Sequence, residues 1–474
     1  MKICMVSSEA LPFCKVGGLA DVVYSLSRKF VVNKKNVNIV LPFYRVIKDN
    51  KEVEFNLVAN FDIKMSWRTL PVEIYSCVYR DIKFYFVANK FYFDRENLYG
   101  YADDQERFAF FQIATLKMFD ELNLNYNIVH IHDWQTGMIP ILYREFYHKS
   151  SNKRPKFIYT IHNAAFLGLV DRKDLYNYFN LSEIFFDNGE TRINNNVSYL
   201  KAGIMTADRI TTVSPSFVNE LLLDKNNPLS YVLNERKSVF RGILNGIDIK
   251  EWNPDTDKFI KHNYTIENVL SQKLLNKKDL CMEFGFDHNL PLLGVVSRLT
   301  SQKGINLILD SLDVLIKNKI NIVILGTGEK EIEDRVSFYG ANYPKHVKAL
   351  IKYSNEMAHR IIASSDFFLM PSLFEPCGIT QMLSQRYGTI PIARSTGGLK
   401  DTIISYNGAN EKDANGILFS AFDHDSFLLA TLLGLNLYSQ RRKYSKIIHN
   451  AMSLNNSWSK SYKEYYALYL EAIG

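Results

Sequence analysis

Cysteine is scarce in this chain: Cys4, Cys14, Cys77, Cys281 and Cys377 are the only five in 474 residues. They are odd in number and widely scattered, which excludes a disulfide framework and a Cys-x-x-Cys metal site and points to a reducing setting. Long apolar runs are missing as well. No stretch approaches the ~18–20 apolar residues of a membrane span, and no apolar leader precedes the first strand-like run at Lys2. A cytoplasmic location without a membrane partner is therefore expected, either directly or for a mature form that has lost a transit peptide. The formal net charge of +7 comes from scattered residues. Without a long basic run or a recognisable RNA- or DNA-binding module, it suits an anionic ligand but not nucleic acid. No short-period repeat or low-complexity tract is present. Two Asp-x-Asp pairs exist, Asp255–Asp257 in a turn after Pro254 and Asp423–Asp425 at a helix start. Neither follows a strand of a ligand cleft, so no metal is expected, and no cofactor.

What is present is a series of strand–loop–helix units. Lys2–Ser7, Asn38–Pro42, Ile128–His132, Phe157–His162, Arg209–Val213 and Phe240–Asn245 are apolar runs of strand length ending in polar loop residues. Such runs mark a doubly wound α/β sheet. Residues Glu52 to Tyr92 alternate instead, and read as an antiparallel insertion at a sheet edge. After Asn245-Gly246-Ile247-Asp248 the pattern breaks at Trp252-Asn253-Pro254. It restarts at Leu292–Ser297 and continues through a helix from Ile305, Ile322–Gly326, Phe367–Pro371 and Ile390–Arg394. Two Rossmann-like domains facing a central cleft are expected, residues 1–248 and 249–456, with a final helix 457–474 returning to the first. In such sheets ligands bind at the carboxyl ends of the strands.

The strand-end loops carry the chemistry. Lys15-Val16-Gly17-Gly18-Leu19-Ala20-Asp21 joins the first strand to a helix whose apolar positions Leu19, Val22, Val23, Leu26 and Phe30 recur at helical spacing. Two glycines let backbone N–H groups approach an anion, and the helix N-terminus adds ~0.3–1 kcal/mol of attraction. Lys15 adds a full charge. The third glycine of the dinucleotide fingerprint is missing. The plain alternative is a glycine turn with a solvated lysine. Ser297-Arg298-Leu299-Thr300-Ser301-Gln302-Lys303-Gly304 sets two cations in one loop, Arg298 able to engage phosphate oxygens bidentately and Lys303 acting as a point charge. In Pro371-Ser372-Leu373-Phe374-Glu375-Pro376-Cys377-Gly378-Ile379-Thr380-Gln381, Glu375 stands on a rigid turn. Cys377, Gly378, Ile379 and Thr380 offer N–H groups at a helix start, so carboxylate and anion nest together can hold sugar hydroxyls and phosphate. Ser395-Thr396-Gly397-Gly398 is a further glycine loop of the same potential. His162 and Asp133 each follow a strand. His162 is either a cleft residue or structural, and Asp133 either orients a ligand group or caps a turn.

These segments, with Ser7-Ser8-Glu9, His132-Asp133-Trp134, Thr160-Ile161-His162-Asn163, Lys201-Ala202-Gly203, Val213-Ser214-Pro215, Leu244-Asn245-Gly246-Ile247-Asp248 and Thr396-Gly397-Gly398-Leu399, resemble the bacterial glycogen synthases and plant starch synthases over nearly the whole chain. The resemblance implies a GT-B fold and a retaining glucosyltransferase that extends α-1,4-glucan, a glycogen primer included, from ADP-glucose. It implies Lys15, Gly18 and Asp21 at the donor, with Arg298 and Lys303 opposite at the diphosphate. Glu375 and the N–H groups of Cys377, Gly378, Ile379 and Thr380 would take the glucose and distal phosphate. His162 would lie beside the reacting sugar carbon, with Asp133 and Asn245 in the same cleft. Tyr353 would stack on adenine, and Tyr101 is a candidate for the acceptor side.

Two positions depart from the family pattern. Leu167 stands where Gln is usual and Leu373 where Arg is usual, each removing a polar group near the cleft. Leu383 stands where many retaining relatives carry a second Glu, which favours the glycogen synthase class. UDP-glucose as donor, a silent glucan binder, an oxidoreductase and a phosphorylase are the competing readings.

Overall fold

Every residue of β1 (Lys2–Val6) after Lys2 is buried, as a strand covered on both faces requires. In the computed structural model, which describes residues 1–147 and 154–474, the chain divides into two units: Met1–Asn245 with Trp458–Gly474, and Gly246–Ser457.

The first unit is built on nine strands: β1, β2 (Asn36–Pro42), β3 (Asn56–Met65), β4 (Arg68–Tyr79), β5 (Ile82–Ala88), β6 (Ile128–His132), β7 (Lys156–Ile161), and, after a small three-stranded sheet of β8 (Leu169–Val170), β9 (Arg192–Ile193) and β10 (Asn196–Ser198), β11 (Arg209–Thr212) and β12 (Phe240–Gly242). Their order is β12-β11-β7-β6-β1-β2-β5-β4-β3. The strand order turns back between β1 and β6, so the loops after β1, β6 and β7 gather where doubly wound sheets hold ligands.

The Glu52–Tyr92 segment differs from expectation in one respect. β3 pairs antiparallel with β4 and β4 antiparallel with β5, as expected, but the other edge of β5 pairs parallel with β2, so β5 belongs to the central series. The reason lies in its side chains. Ile82-Lys83-Phe84-Tyr85-Phe86-Val87 is almost continuously apolar and mostly buried, while β3 alternates and keeps one face in water. The helix Trp458–Ile473 packs on this unit, with Tyr469 stacked on Phe30 at 5.0 Å.

The second unit carries six parallel strands, β13 (Leu292–Val296), β14 (Asn321–Leu325), β15 (Val347–Leu350), β16 (Phe367–Met370), β17 (Ile390–Arg394) and β18 (Ile417–Phe419), in the order β15-β14-β13-β16-β17-β18. Here the order turns back between β13 and β16, so the loops bearing Arg298 and Glu375 emerge side by side. The helix Ile305–Lys317 follows β13 and buries Ile305, Ile308, Leu309, Leu312 and Leu315 on one face. Among the described residues no helix is long and apolar enough to cross a membrane.

Candidate functional site

In the first unit the glycine loop is occupied in a way its sequence does not disclose. The N–H groups of Val16 and Gly17 donate to Oε2 of Glu9 at 2.5 and 3.0 Å. Glu9 is buried, and the Tyr99 hydroxyl donates to its other oxygen at 2.8 Å. Two of the N–H groups read as an anion grip therefore already hold an internal carboxylate. Gly18 begins the helix Gly18–Val32, and among the described residues its N–H has no acceptor. Lys15 and Asp21 pair with each other at 2.8 Å, both partly exposed. A Cβ built at Gly17 would meet no atom within 4 Å, so the space above the loop is open.

Asp133 terminates β6 with φ 56° and ψ −176°, a region that residues other than glycine rarely adopt. Its Oδ1 accepts the N–H of His162 at 2.7 Å and of Asn163 at 3.3 Å. Asp133 thus fixes the turn after β7, and burial pushes its carboxyl up to about 7. His162 is half-buried, its Nε2 lies 3.1 Å from Nδ1 of His132, and burial lowers it to about 3. Below them His130 bridges Tyr469 and Thr160, both at 2.6 Å. Asn245 is buried with its Oδ1 unpartnered. The Tyr101 ring is held by Arg95 and Arg107, at 4.8 and 5.3 Å from its centroid. Leu167 contributes backbone, its carbonyl accepting from Ser198 Oγ at 2.8 Å.

In the second unit one cavity of about 210 Å³ is lined by Arg298, Lys303, Glu375, Gly378, Ile379 and Thr380, among others. Lys303 Nζ lies 2.5 Å from Glu375 Oε2, which Ser372 Oγ also reaches at 3.1 Å. Arg298 is exposed and has no ion-pair partner among the described residues. The helix Thr380–Arg386 has no side-chain cap at Ile379, and among the described residues the N–H groups of Gly378, Ile379 and Thr380 have no acceptor. Cys377 is buried beneath them.

The glycines shape this cavity from behind. A Cβ at Gly304 would stand 2.0 Å from the Pro371 carbonyl oxygen, and one at Gly398 2.0 Å from that of Cys377. Gly398 also donates to the Glu375 carbonyl at 3.2 Å. The Ser395–Gly398 loop thus props the Glu375 loop. Tyr353, just beyond β15, is 84% exposed, its ring open. Leu373 is exposed, and the Arg394 guanidinium binds its carbonyl.

Of the Asp-x-Asp pairs, Asp257 is buried against His359 and Tyr387, each at 2.7 Å, and Asp423 caps a helix through Ser426 N–H at 2.7 Å. Among the described residues no group of three or more His, Cys, Asp or Glu is placed to hold a metal ion. Sequence reasoning missed Glu9 as an internal anion and His132 as the partner of His162. The i, i+2 spacing of His130 and His132, which puts both on one face of a strand, was the available signal for the latter.

Two family models match the chain, one described as the starch synthase catalytic domain over residues 2–235 and one as glycosyl transferases group 1 over residues 277–451. A glycogen synthase of Clostridium kluyveri is 41% identical over 473 residues, 99% of each chain. Another, of Clostridium beijerinckii, is 40% identical over 479 residues with 100% of both chains covered. The catalytic domain of starch synthase IV from Arabidopsis thaliana, solved with ADP and acarbose, matches with a TM-score of 0.92 at 29% identity, covering 100% of this chain and 99% of that one. A sucrose-phosphate synthase from Thermosynechococcus elongatus, at 15% identity and a TM-score of 0.62, shares the fold.

Proposed function

The chain belongs to the glycogen and starch synthase family, glycosyltransferases of the GT-B fold, and from that premise we propose that it transfers glucose from ADP-glucose to the non-reducing end of an α-1,4-glucan, with retention, releasing ADP. The observation that carries the donor half is the cavity of the second unit, where a lysine and a carboxylate converge with a guanidinium and three N–H groups that have no partner among the described residues. Arg298, Lys303 and the N–H groups of Gly378, Ile379 and Thr380 take the diphosphate, and Glu375 takes sugar hydroxyls. Tyr353 lends its exposed ring to the base. As the glycosidic C–O bond breaks, negative charge grows on the leaving phosphate. Donors already fixed around it are each worth ~10²–10³ in rate.

Glu375 is ion-paired to Lys303, which suits a group that holds hydroxyls and not one that attacks carbon. The acceptor 4-hydroxyl then enters on the face the phosphate leaves and passes its proton to the phosphate oxygen. That order of bond making gives retention without a covalent glycosyl-enzyme. In the first unit His162, held neutral by burial, stands beside the reacting sugar carbon without setting a positive charge against the developing cation, and Asp133 fixes the turn that bears it. Lys15, Gly18 and Asp21 serve the donor, and Asn245 offers its unpartnered oxygen.

The deciding experiment is transfer of labelled glucose to glycogen from ADP-glucose and from UDP-glucose, with EDTA present. Strong incorporation from ADP-glucose supports the reading. Incorporation from UDP-glucose alone overturns the donor, and glucan binding without transfer from either overturns catalysis.

A further inference from the structure

Three histidines form a ladder in the first unit. His130 and His132 lie on β6 with ring centroids 4.2 Å apart, and His132 faces His162 with centroids 5.3 Å apart. The lower rung is fully satisfied, since both nitrogens of His130 have hydroxyl partners at 2.6 Å. The middle rung is not. His132 is buried, its Nδ1 lies 3.1 Å from Nε2 of His162, and among the described residues its Nε2 has no hydrogen-bond partner.

That imbalance decides where the protons are. Burial holds both rings neutral, so each carries one N–H and one bare nitrogen. If His132 were protonated on Nε2, it would bury an N–H donor with no acceptor. An orphaned buried donor is the rarer and costlier defect, whereas an unused acceptor lone pair is tolerated more readily. Protonated on Nδ1, His132 instead spends its N–H on His162 and leaves only the lone pair unused. The hydrogen bond at one ring nitrogen then fixes the proton on the other.

We infer that His132 is a positioning residue that donates from Nδ1 to Nε2 of His162 and so holds His162 in the Nδ1–H form, with that N–H offered to a ligand oxygen. Among the described residues Nδ1 of His162 has no partner. The acceptor it fits is a neutral oxygen, such as a sugar hydroxyl, since a neutral imidazole brings a directed donor without a charge. The substrate part of this inference rests on the proposed placement of His162 beside the reacting sugar, while the tautomer itself does not.

The test uses the full chain labelled with ¹⁵N-histidine and long-range ¹H–¹⁵N correlation, His162 being assigned by the signal lost in His162→Ala. Protonated Nδ1 and bare Nε2 on both His132 and His162 is the expected result. A protonated Nε2 on either ring of the wild type, with His132 assigned in the same way from His132→Phe, overturns the inference. Activity supplies the second arm. His132→Phe keeps the ring but removes the donor, and kcat is expected to fall ~10–100-fold, as for other partners that orient a working side chain. The KM for ADP-glucose should change less than about threefold. His132→Asn places an amide N–H near the position of Nδ1 and should recover most of kcat. Wild-type turnover in His132→Phe, or equal losses in both variants, overturns the positioning role. An unchanged kcat in His162→Ala would instead overturn the placement of His162 at the sugar and leave the tautomer result standing.

Discussion

Replacing Asp133 by Asn tests the electrostatics of the first unit most directly. The amide keeps an oxygen for the N–H groups of His162 and Asn163 and removes the titration. In the folded protein burial holds the Asp133 carboxyl at about 7, against about 3.9 for an unfolded aspartate. A folded value raised above the unfolded one contributes stability that is fully present below about pH 3.9 and is lost as pH rises through about 7. At each pH the unfolded chain has released more protons than the folded one, and the linkage integral between pH 5 and pH 8 amounts to about 2.5 kcal/mol. The His130, His132 and His162 contributions run the other way, lost as pH falls below about 6.5. They are shared by wild type and variant and cancel in the difference. Denaturant unfolding of both proteins at pH 5, 6, 7 and 8, followed by a probe in the first unit, should show the variant gaining about 2–3 kcal/mol on the wild type across that range. A stability difference that stays constant with pH would refute the burial argument. A difference of opposite slope would mean that the two N–H donors outweigh burial and hold the carboxyl low.

Two further outcomes concern the second unit. Gly398→Ala brings a Cβ to 2.0 Å from the Cys377 carbonyl oxygen, with backbone on both sides, so the Glu375 loop must move. Transfer should fall at least ~10-fold, in line with the ~10² cost of misplacing a reacting group by about 1 Å, while circular dichroism stays unchanged; full activity would show that the loop tolerates the shift. Tyr353→Ala removes a ring that is almost fully exposed. Loss of a base-stacking contact of ~1–3 kcal/mol should weaken ADP binding roughly 5–160-fold by calorimetry and leave kcat nearly intact; unchanged ADP affinity would remove Tyr353 from the base site.

The parts of the fold legible in the sequence are those where composition and geometry are tied. Runs such as Ile128–His132 and Leu292–Val296 are apolar because parallel strands are covered on both faces, and the loops after them were marked by Gly, Lys, Arg and Glu. β15 and β18 were missed. Both are edge strands of the second sheet; β15, Val-Lys-Ala-Leu, is buried only at Val347 and its run is interrupted by a lysine, and β18 is a three-residue run. β5 was assigned to the edge ribbon because its neighbours alternate, although its own residues do not. Glu9 was hidden for a different reason. A lone carboxylate after a strand reads equally as ligand, cap or surface, and only the folded loop shows that Val16 and Gly17 N–H groups converge on it. The Lys15–Asp21 pair was hidden likewise, since five residues of loop and helix separate partners that the turn brings together.

The two strand-end regions differ in how their charges are spent, and this bears on where a nucleotide diphosphate gains its affinity. In the first unit the opposites are matched: Glu9 takes two loop N–H groups, and Lys15 pairs with Asp21. A ligand phosphate there must compete with internal partners, and exposed pairs of this kind are worth only ~0–1 kcal/mol, so Lys15 can be recruited at little cost. Glu9 is buried with three donors on it and is not displaced so cheaply. In the second unit Lys303 is matched by Glu375, but among the described residues Arg298 and three N–H groups have no match. The surplus of positive potential therefore lies in the Arg298 cavity. ADP affinity should then depend far more on Arg298 than on Lys15, with Lys15 acting mainly on turnover, where a cation engaged only as charge develops lowers the barrier without tightening the ground state.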